Sequence, residues 1–258
     1  MRPDLAGARQ IGVLARHNLL LLLRDPGQIV AYTVMPAVLM SLLQPLYRAA
    51  LHHGPAAAAA QDAAGMVVMF SLFALNVIGH SILSERTWRT WDRLRATPTS
   101  ALELLAGKAV PLLTVLGAQQ ALLLGIATVA IGLRPAGPAW AFIPVGLAWS
   151  LCVLACGAAL ASSARSHGQL GTSVDIGALV ATCLGGALIP LSALPAWLRS
   201  VAWVSPGYWA MAGYNAALTG QSATRLLPPC GVLLAIAVAA AALAATRTSR
   251  AQGRNRHL

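Results

Sequence analysis

Charged residues divide this sequence into long uncharged runs. Seven stretches contain no Asp, Glu, Lys or Arg and are each at least 21 residues long: 26 to 47, 63 to 84, 109 to 133, 135 to 164, 176 to 198, 200 to 224 and 226 to 246. A helix rises about 1.5 Å per residue, so it needs about 20 residues to cross a hydrocarbon layer about 30 Å thick. Each run is therefore long enough to span a membrane.

The composition indicates the same class of protein. Hydrophobic residues make up 57% of the chain and charged residues 10%, whereas a soluble domain has about 25% charged residues. The formal net charge of +11 is explained by cytoplasmic arginines, without nucleic acid as a partner. We therefore predict an all-α integral membrane protein with the lipid bilayer as its surroundings and a single transmembrane domain over residues 1–258.

Run 200 to 224 is the weakest candidate span, because Ser205, Pro206, Gly207 and Asn215 would need polar partners in lipid. The remaining runs predict six spans, at 28–47, 65–84, 109–133, 140–161, 172–191 and 227–245. With six spans, 14 of the 18 basic residues lie on the side of both termini. Basic residues mark the cytoplasmic side, so both termini, including the basic tail 246–258, are predicted to be cytoplasmic.

Two further segments are predicted at the cytoplasmic surface. In residues 9–25 the arginines at positions 9, 16 and 24 lie among leucines, which favours an interfacial amphipathic helix. The alternative is that this segment forms the start of the first span. In the loop 85–108, Arg86, Arg89 and Arg93 form one helical stripe opposite Trp88. This pattern fits either a basic loop that fixes topology or a docking element with aromatic and arginine anchors.

Polar residues within the spans are costly and are often functional. Asn76 and His80 are one helical turn apart, so both are predicted to face the same way. They either line a substrate path or hydrogen-bond to a neighbouring helix. Gln119 and Gln120 cannot share a face, and we expect at least one of them to pack against another helix. Asp175, the only acid near the membrane interior, is expected in the first turn of span five, where the helix N-terminus stabilises it; the alternative is a proton-relay role. The cysteines all fall in apolar runs, and no metal site is predicted.

Six short motifs follow one another in order along the chain. They are Arg24-Asp25-Pro26, Ser84-Glu85-Arg86-Thr87, Ala96-Thr97-Pro98-Thr99-Ser100, Leu104-Leu105-Ala106-Gly107-Lys108, Leu191-Ser192-Ala193-Leu194-Pro195-Ala196-Trp197-Leu198 and Ser205-Pro206. Each motif alone is degenerate, but in this order and spacing they resemble a known family, the type 2 ABC exporter permeases, which include the daunorubicin-resistance permeases. The resemblance covers residues 9 to about 246.

The resemblance implies a membrane subunit that forms a homodimer or heterodimer and couples to two ABC ATPase subunits, which bind ATP and Mg. It also implies a short re-entrant external segment within 192–226, with Pro195 and Pro206 near an outer gate. By the same resemblance the loop after span two docks on the ATPase, and its contact residues are Glu85, Arg86, Trp88, Arg89, Asp92 and Arg93.

The sequence contains no P-loop, because Gly107-Lys108 is followed by Ala109 and Leu102 takes the place of the first glycine. The chain is therefore predicted not to be an enzyme, and ATP must be hydrolysed by a partner. The predicted function is export of an amphipathic small molecule, such as a drug, antibiotic or lipid, across a bacterial inner or plasma membrane by alternating access. The alternative is a self-sufficient secondary transporter or channel, for which buried carboxylates or ion pairs would be expected.

Overall fold

The computed structural model shows a bundle of α-helices, and the described part of the chain contains no β-strand. The backbone is described for residues 26–50, 54–76, 79–80, 83, 101–164 and 166–254, and the side chains for 34–49, 54–76, 79–80, 83, 109–164 and 166–247. The helices are α1 (Pro26–Ala50), α2 (Pro55–Phe73), α3 (Ala101–Ala130), α4 (Phe142–Ser163), α5 (His167–Leu184), α6 (Ala196–Val201), α7 (Pro206–Leu218) and α8 (Ala223–Arg254). The predicted interfacial helix 9–25 and the predicted contact residues 85–93 lie outside the described residues.

Four of the described helices are long and apolar enough to cross a membrane: Pro55–Phe73, Ala109–Ala130, Ala139–Ser163 and Ala223–Arg247. They confirm the prediction of an all-helical protein with several apolar helices. Helix α1 contains the first predicted span, 28–47, and α5 overlaps the first part of the fifth, 172–191. The count of six spans stays a prediction.

Several helices begin earlier than the predicted spans, and the starts of α2 and α5 have local causes. Helix α2 starts at Pro55, ten residues before the predicted span 65–84, because proline suits the first position of a helix and alanines follow it. Helix α5 starts after Ser166, whose hydroxyl accepts a hydrogen bond from the Gln169 amide at 3.2 Å. Asp175 therefore lies in the third turn of α5, and its expected place in the first turn was wrong.

Helix α2 is the centre of the bundle. Almost every residue from Ala58 to Leu72 is buried, and the helix packs against α1, α3, α5 and α7. Helices α4 and α8 lie along each other over most of their length, and the Arg247 guanidinium donates to the Ser163 hydroxyl at one end of this pair. Large apolar side chains are exposed on the outer helices, as expected of a surface that faces lipid; on α1 they are Val34, Met35, Val38, Leu42 and Leu46.

Candidate transport site

Asn76 and His80 face α5, and each has a polar partner there. The Asn76 side-chain amide donates to the Asp175 carboxylate at 2.6 Å. The Nδ1 atoms of His80 and His167 are 2.8 Å apart, and their rings are stacked with centroids 5.1 Å apart. One of the two Nδ1 atoms must therefore carry a hydrogen and donate a hydrogen bond to the other. The common face predicted from the spacing is confirmed, and it forms part of the contact between two helices.

Gly171 lies on α5 between the two pairs. An added Cβ would be 3.9 Å from Asn76 Oδ1 and 4.0 Å from His80 Nε2, which are ordinary van der Waals distances. The polar ends of both side chains therefore lie close to the α5 backbone. That Asn76 and His80 also line a substrate path stays a prediction.

A second polar cluster borders a cavity between α3 and α4. The Tyr214 hydroxyl donates to Gln120 Oε1 at 2.8 Å, and Gln120 Nε2 donates to the Ser150 hydroxyl at 2.9 Å. These three side chains are among the lining of a cavity of about 340 Å³, whose other walls are mainly apolar. The expectation that one of the two glutamines packs against another helix is confirmed for Gln120. An apolar cavity with a few fixed polar groups suits an amphipathic molecule.

The two prolines predicted at an outer gate lie in different settings. Pro195 is exposed and precedes α6, whereas Pro206 is the first residue of α7. At this start of α7, the Ser205 hydroxyl accepts from the Gly207 amide at 3.1 Å and donates to the Ala181 carbonyl of α5 at 2.8 Å. The structure therefore places Pro206 at a hydrogen-bonded joint between α5 and α7.

The chain between α5 and α6 docks on the first two helices through its backbone carbonyls. We call residues 185–190 the docking segment. The Tyr47 hydroxyl of α1 donates to the Leu188 carbonyl at 2.7 Å, and the Gln61 amide of α2 donates to the Gly186 carbonyl at 2.7 Å. Gly65 lets the segment approach, because an added Cβ would overlap the Ala187 carbonyl oxygen.

Asp62 is the residue that sequence reasoning missed. The predicted spans 28–47 and 65–84 leave Asp62 in the loop between them. In the structure it lies in α2 and is completely buried. The expectation that Asp175 is the only acid near the membrane interior was therefore wrong. The signal that could have revealed Asp62 is Pro55 followed by five alanines, which is a favourable helix start.

Comparison with known proteins gives consistent matches. The family model described as ABC-2 type transporter matches residues 9–219. The chain is 29% identical over 182 residues to the linearmycin resistance permease protein LnrN of Bacillus subtilis (strain 168), covering 69% of this chain and 46% of that protein. It is 26% identical over 142 residues to the probable multidrug ABC transporter permease YbhR of Escherichia coli (strain K12), covering 55% and 39%.

The chain thus matches less than half the length of these two relatives. The family model, however, covers most of the chain, including α1, α2, the contact of α2 with α5, and the joint between α5 and α7. The chain belongs to the ABC-2 type transporter family.

Proposed function

We propose that the chain is the membrane-spanning permease subunit of an ATP-driven exporter that moves an amphipathic small molecule out of a bacterial cell. The observation that carries the proposal is the family match over residues 9–219, together with four helices in the described part of the chain that are apolar enough to span a membrane. The names of both relatives, a linearmycin resistance permease and a probable multidrug permease, favour a drug or antibiotic as the substrate.

ATP would act through partner subunits in this proposal, since the sequence contains no P-loop. Two ATPase subunits with bound ATP and Mg would pair with two permease protomers in the bacterial plasma membrane, with six spans and cytoplasmic termini. Contact residues Glu85, Arg86, Trp88, Arg89, Asp92 and Arg93 would dock on the ATPase. Closure of the ATPase dimer would then shift the helices between an inward-open and an outward-open arrangement.

The outer end of the pathway would be formed by the docking segment and by residues 192–226, where Pro195 and Pro206 lie. Support comes from exposed tryptophans in and near this region, since tryptophan favours the membrane–water interface. Trp140, Trp197 and Trp203 are 55%, 70% and 60% exposed. The apolar cavity beside Gln120 and the face with Asn76 and His80 are the proposed contacts of the substrate.

The test is a double substitution in the proposed docking loop, Trp88→Ala with Arg89→Ala. The tagged chain is produced in cells of its own species, and the ABC ATPase that co-purifies and the export of a fluorescent amphipathic drug are measured. We expect both to fall at least tenfold, because aromatic and arginine anchors typically contribute 2 kcal/mol or more, roughly, to an interface.

The matched control is Trp197→Ala with Arg199→Ala, which removes the same two residue types from exposed positions in α6. This variant is expected to retain the ATPase. If the loop variant retains as much ATPase as this control and exports the drug as well as the wild type, the docking proposal fails.

The alternative of a secondary transporter is favoured by one observation, the buried carboxyl group of Asp62. The two functions are separated by reconstituting the purified chain alone in liposomes. Drug uptake driven by an ion gradient, without ATPase or ATP, would establish the alternative and contradict the exporter subunit.

A further inference from the structure

Asp62 has an environment that a charged carboxylate does not tolerate. Its exposed fraction is 0%, and neither carboxyl oxygen has a hydrogen-bond partner among the described residues. An isolated charge in an apolar interior costs far more free energy than protonation of the group. The carboxyl group is therefore neutral in this conformation.

The space around Asp62 favours a proton over any larger ligand. Ala58, Ala63 and Met66 on the same helix are completely buried and belong to the apolar core. A metal ion or an organic amine needs volume and several oxygen ligands, whereas a proton needs neither.

Two donors beside Asp62, on Tyr47 and Gln61, are occupied by the docking segment. Tyr47 is close enough to Asp62 for electrostatic interaction, but its hydroxyl donates to the Leu188 carbonyl. Gln61, adjacent in sequence, donates to the Gly186 carbonyl. Gln44 lies one turn before Tyr47 on the same face of α1, and its buried amide nitrogen has no partner among the described residues.

Other titratable groups on the helices around α2 are engaged elsewhere or lie apart, and none of those described pairs with Asp62. The side chains of α3 are described from residue 109 onward, and none of those in 109–130 is titratable. On α5, Asp175 and His167 contact Asn76 and His80. The remaining groups are Arg48, which is exposed on α1, Cys183 near the end of α5, Cys152 and Cys156 on α4, and Tyr208 and Tyr214 on α7, the last of which donates to Gln120.

We propose that Asp62 is a proton-binding site that controls docking of residues 185–190 on α1 and α2. While the segment is docked, Tyr47 and Gln61 serve its carbonyls and the carboxyl group keeps its proton. When the segment leaves, both donors and water can hydrogen-bond to the carboxylate, and the proton passes to water. The docked state binds one more proton than the released state, so docking weakens as the pH rises.

The test is hydrogen–deuterium exchange of the full chain in lipid nanodiscs at about pH 5.5 and about pH 7.5, with rates corrected for intrinsic exchange. In the wild-type protein, protection of residues 185–190 should fall as the pH rises, by at most about tenfold per pH unit because one proton is exchanged. Asp62→Asn mimics the protonated acid and should show equal protection at both pH values.

Two controls isolate the effect. Helix α4, which packs mainly along α8, should keep the same protection throughout. Asp175→Asn neutralises a carboxylate that is already exposed and hydrogen-bonded, and it should keep the wild-type response to pH.

A wild-type segment whose protection does not change with pH would overturn the proposal, as would an unchanged response in Asp62→Asn. If Asp62→Asn fails to fold, Tyr47→Phe provides the second test, since it removes one docking donor. It should lower protection of the segment at the lower pH, and full protection there would also overturn the proposal. The measurement needs neither an ATPase nor a transported substrate, so its result is independent of the proposed function.

Discussion

At the residue scale, glycines fix the places where backbones come closest. Gly65 faces the Ala187 carbonyl of the docking segment, and Gly185 faces Gly207, where an added Cβ would lie 2.6 Å from the carbonyl carbon. Such small residues let helices and connections pack backbone to backbone in a membrane protein. Both contacts involve the end of α5, so the close packing at this end depends on residues that have no Cβ.

Gly65→Ala should destabilise the protein, because the new methyl group overlaps a backbone oxygen and cannot be relieved by turning a side chain. We expect a loss of about 1–3 kcal/mol, the usual cost of overpacking. The measurement is the midpoint of thermal unfolding in detergent, followed by tryptophan fluorescence.

Gly117→Ala is the matched control. Gly117 also lies in a helix, α3, but an added Cβ meets no atom within 4 Å. Alanine favours a helix over glycine by about 1 kcal/mol, so this variant should be as stable as the wild type or slightly more stable. Equal stability of the two variants would contradict the close contact at Gly65.

Sequence reasoning found some polar residues and missed the partners that decide their roles. The spacing of Asn76 and His80 predicted a shared face, since helical periodicity is local. Their partners on α5 could not be predicted, because the pairing of α2 with a helix so far along the chain depends on tertiary packing. Asp62 was missed for a related reason. The uncharged run that defines span two starts after Asp62, so this acid is assigned to the loop, whereas its burial depends on the surrounding helices.

At the scale of helices, the joint between α5 and α7 depends on Ser205. Its hydroxyl both caps α7 and bonds to the Ala181 carbonyl. Ser205→Ala removes the cap and the bond between helices, and we expect a loss of about 1–2 kcal/mol. Thermal unfolding measures the loss.

Ser200→Ala serves as its control, because Ser200 is exposed and its hydroxyl donates to the Trp197 carbonyl of its own short helix. This substitution should change stability by less than about 0.5 kcal/mol. A Ser205→Ala variant as stable as Ser200→Ala would show that the joint does not depend on the hydroxyl.

Helix boundaries show what a charge pattern can and cannot predict. Uncharged runs predicted the apolar helices, because hydropathy reflects the lipid environment. The starts of α2 and α5 instead follow Pro55 and the Ser166 cap, which are local backbone signals. The backbone of α8 extends to Arg254, because arginine is a good helix former and does not end a helix where the apolar residues end.

At the scale of the whole molecule, the predicted orientation can be tested with two exposed positions. Arg134 follows α3 and is predicted to be outside, whereas Gly168 begins α5 and is predicted to be inside. Each is replaced by cysteine in a background without the native Cys152, Cys156, Cys183 and Cys230.

A membrane-impermeant maleimide should label Arg134→Cys in intact cells and Gly168→Cys only after permeabilisation, because charged reagents do not cross the lipid layer. Both variants should label fully in detergent, which controls for local access. Labelling of Gly168→Cys in intact cells would contradict six spans with cytoplasmic termini.

Helix α7 is tied at both ends to different connections. Its first turn is bound through Ser205 to the end of α5, and its last residue, Leu218, accepts a hydrogen bond from Ala136 between α3 and α4. Thirteen residues of α-helix form a rod of about 20 Å that hardly changes length. A displacement of the end of α5 is therefore transmitted along α7 to the connection between α3 and α4, unless one of the two end contacts breaks first.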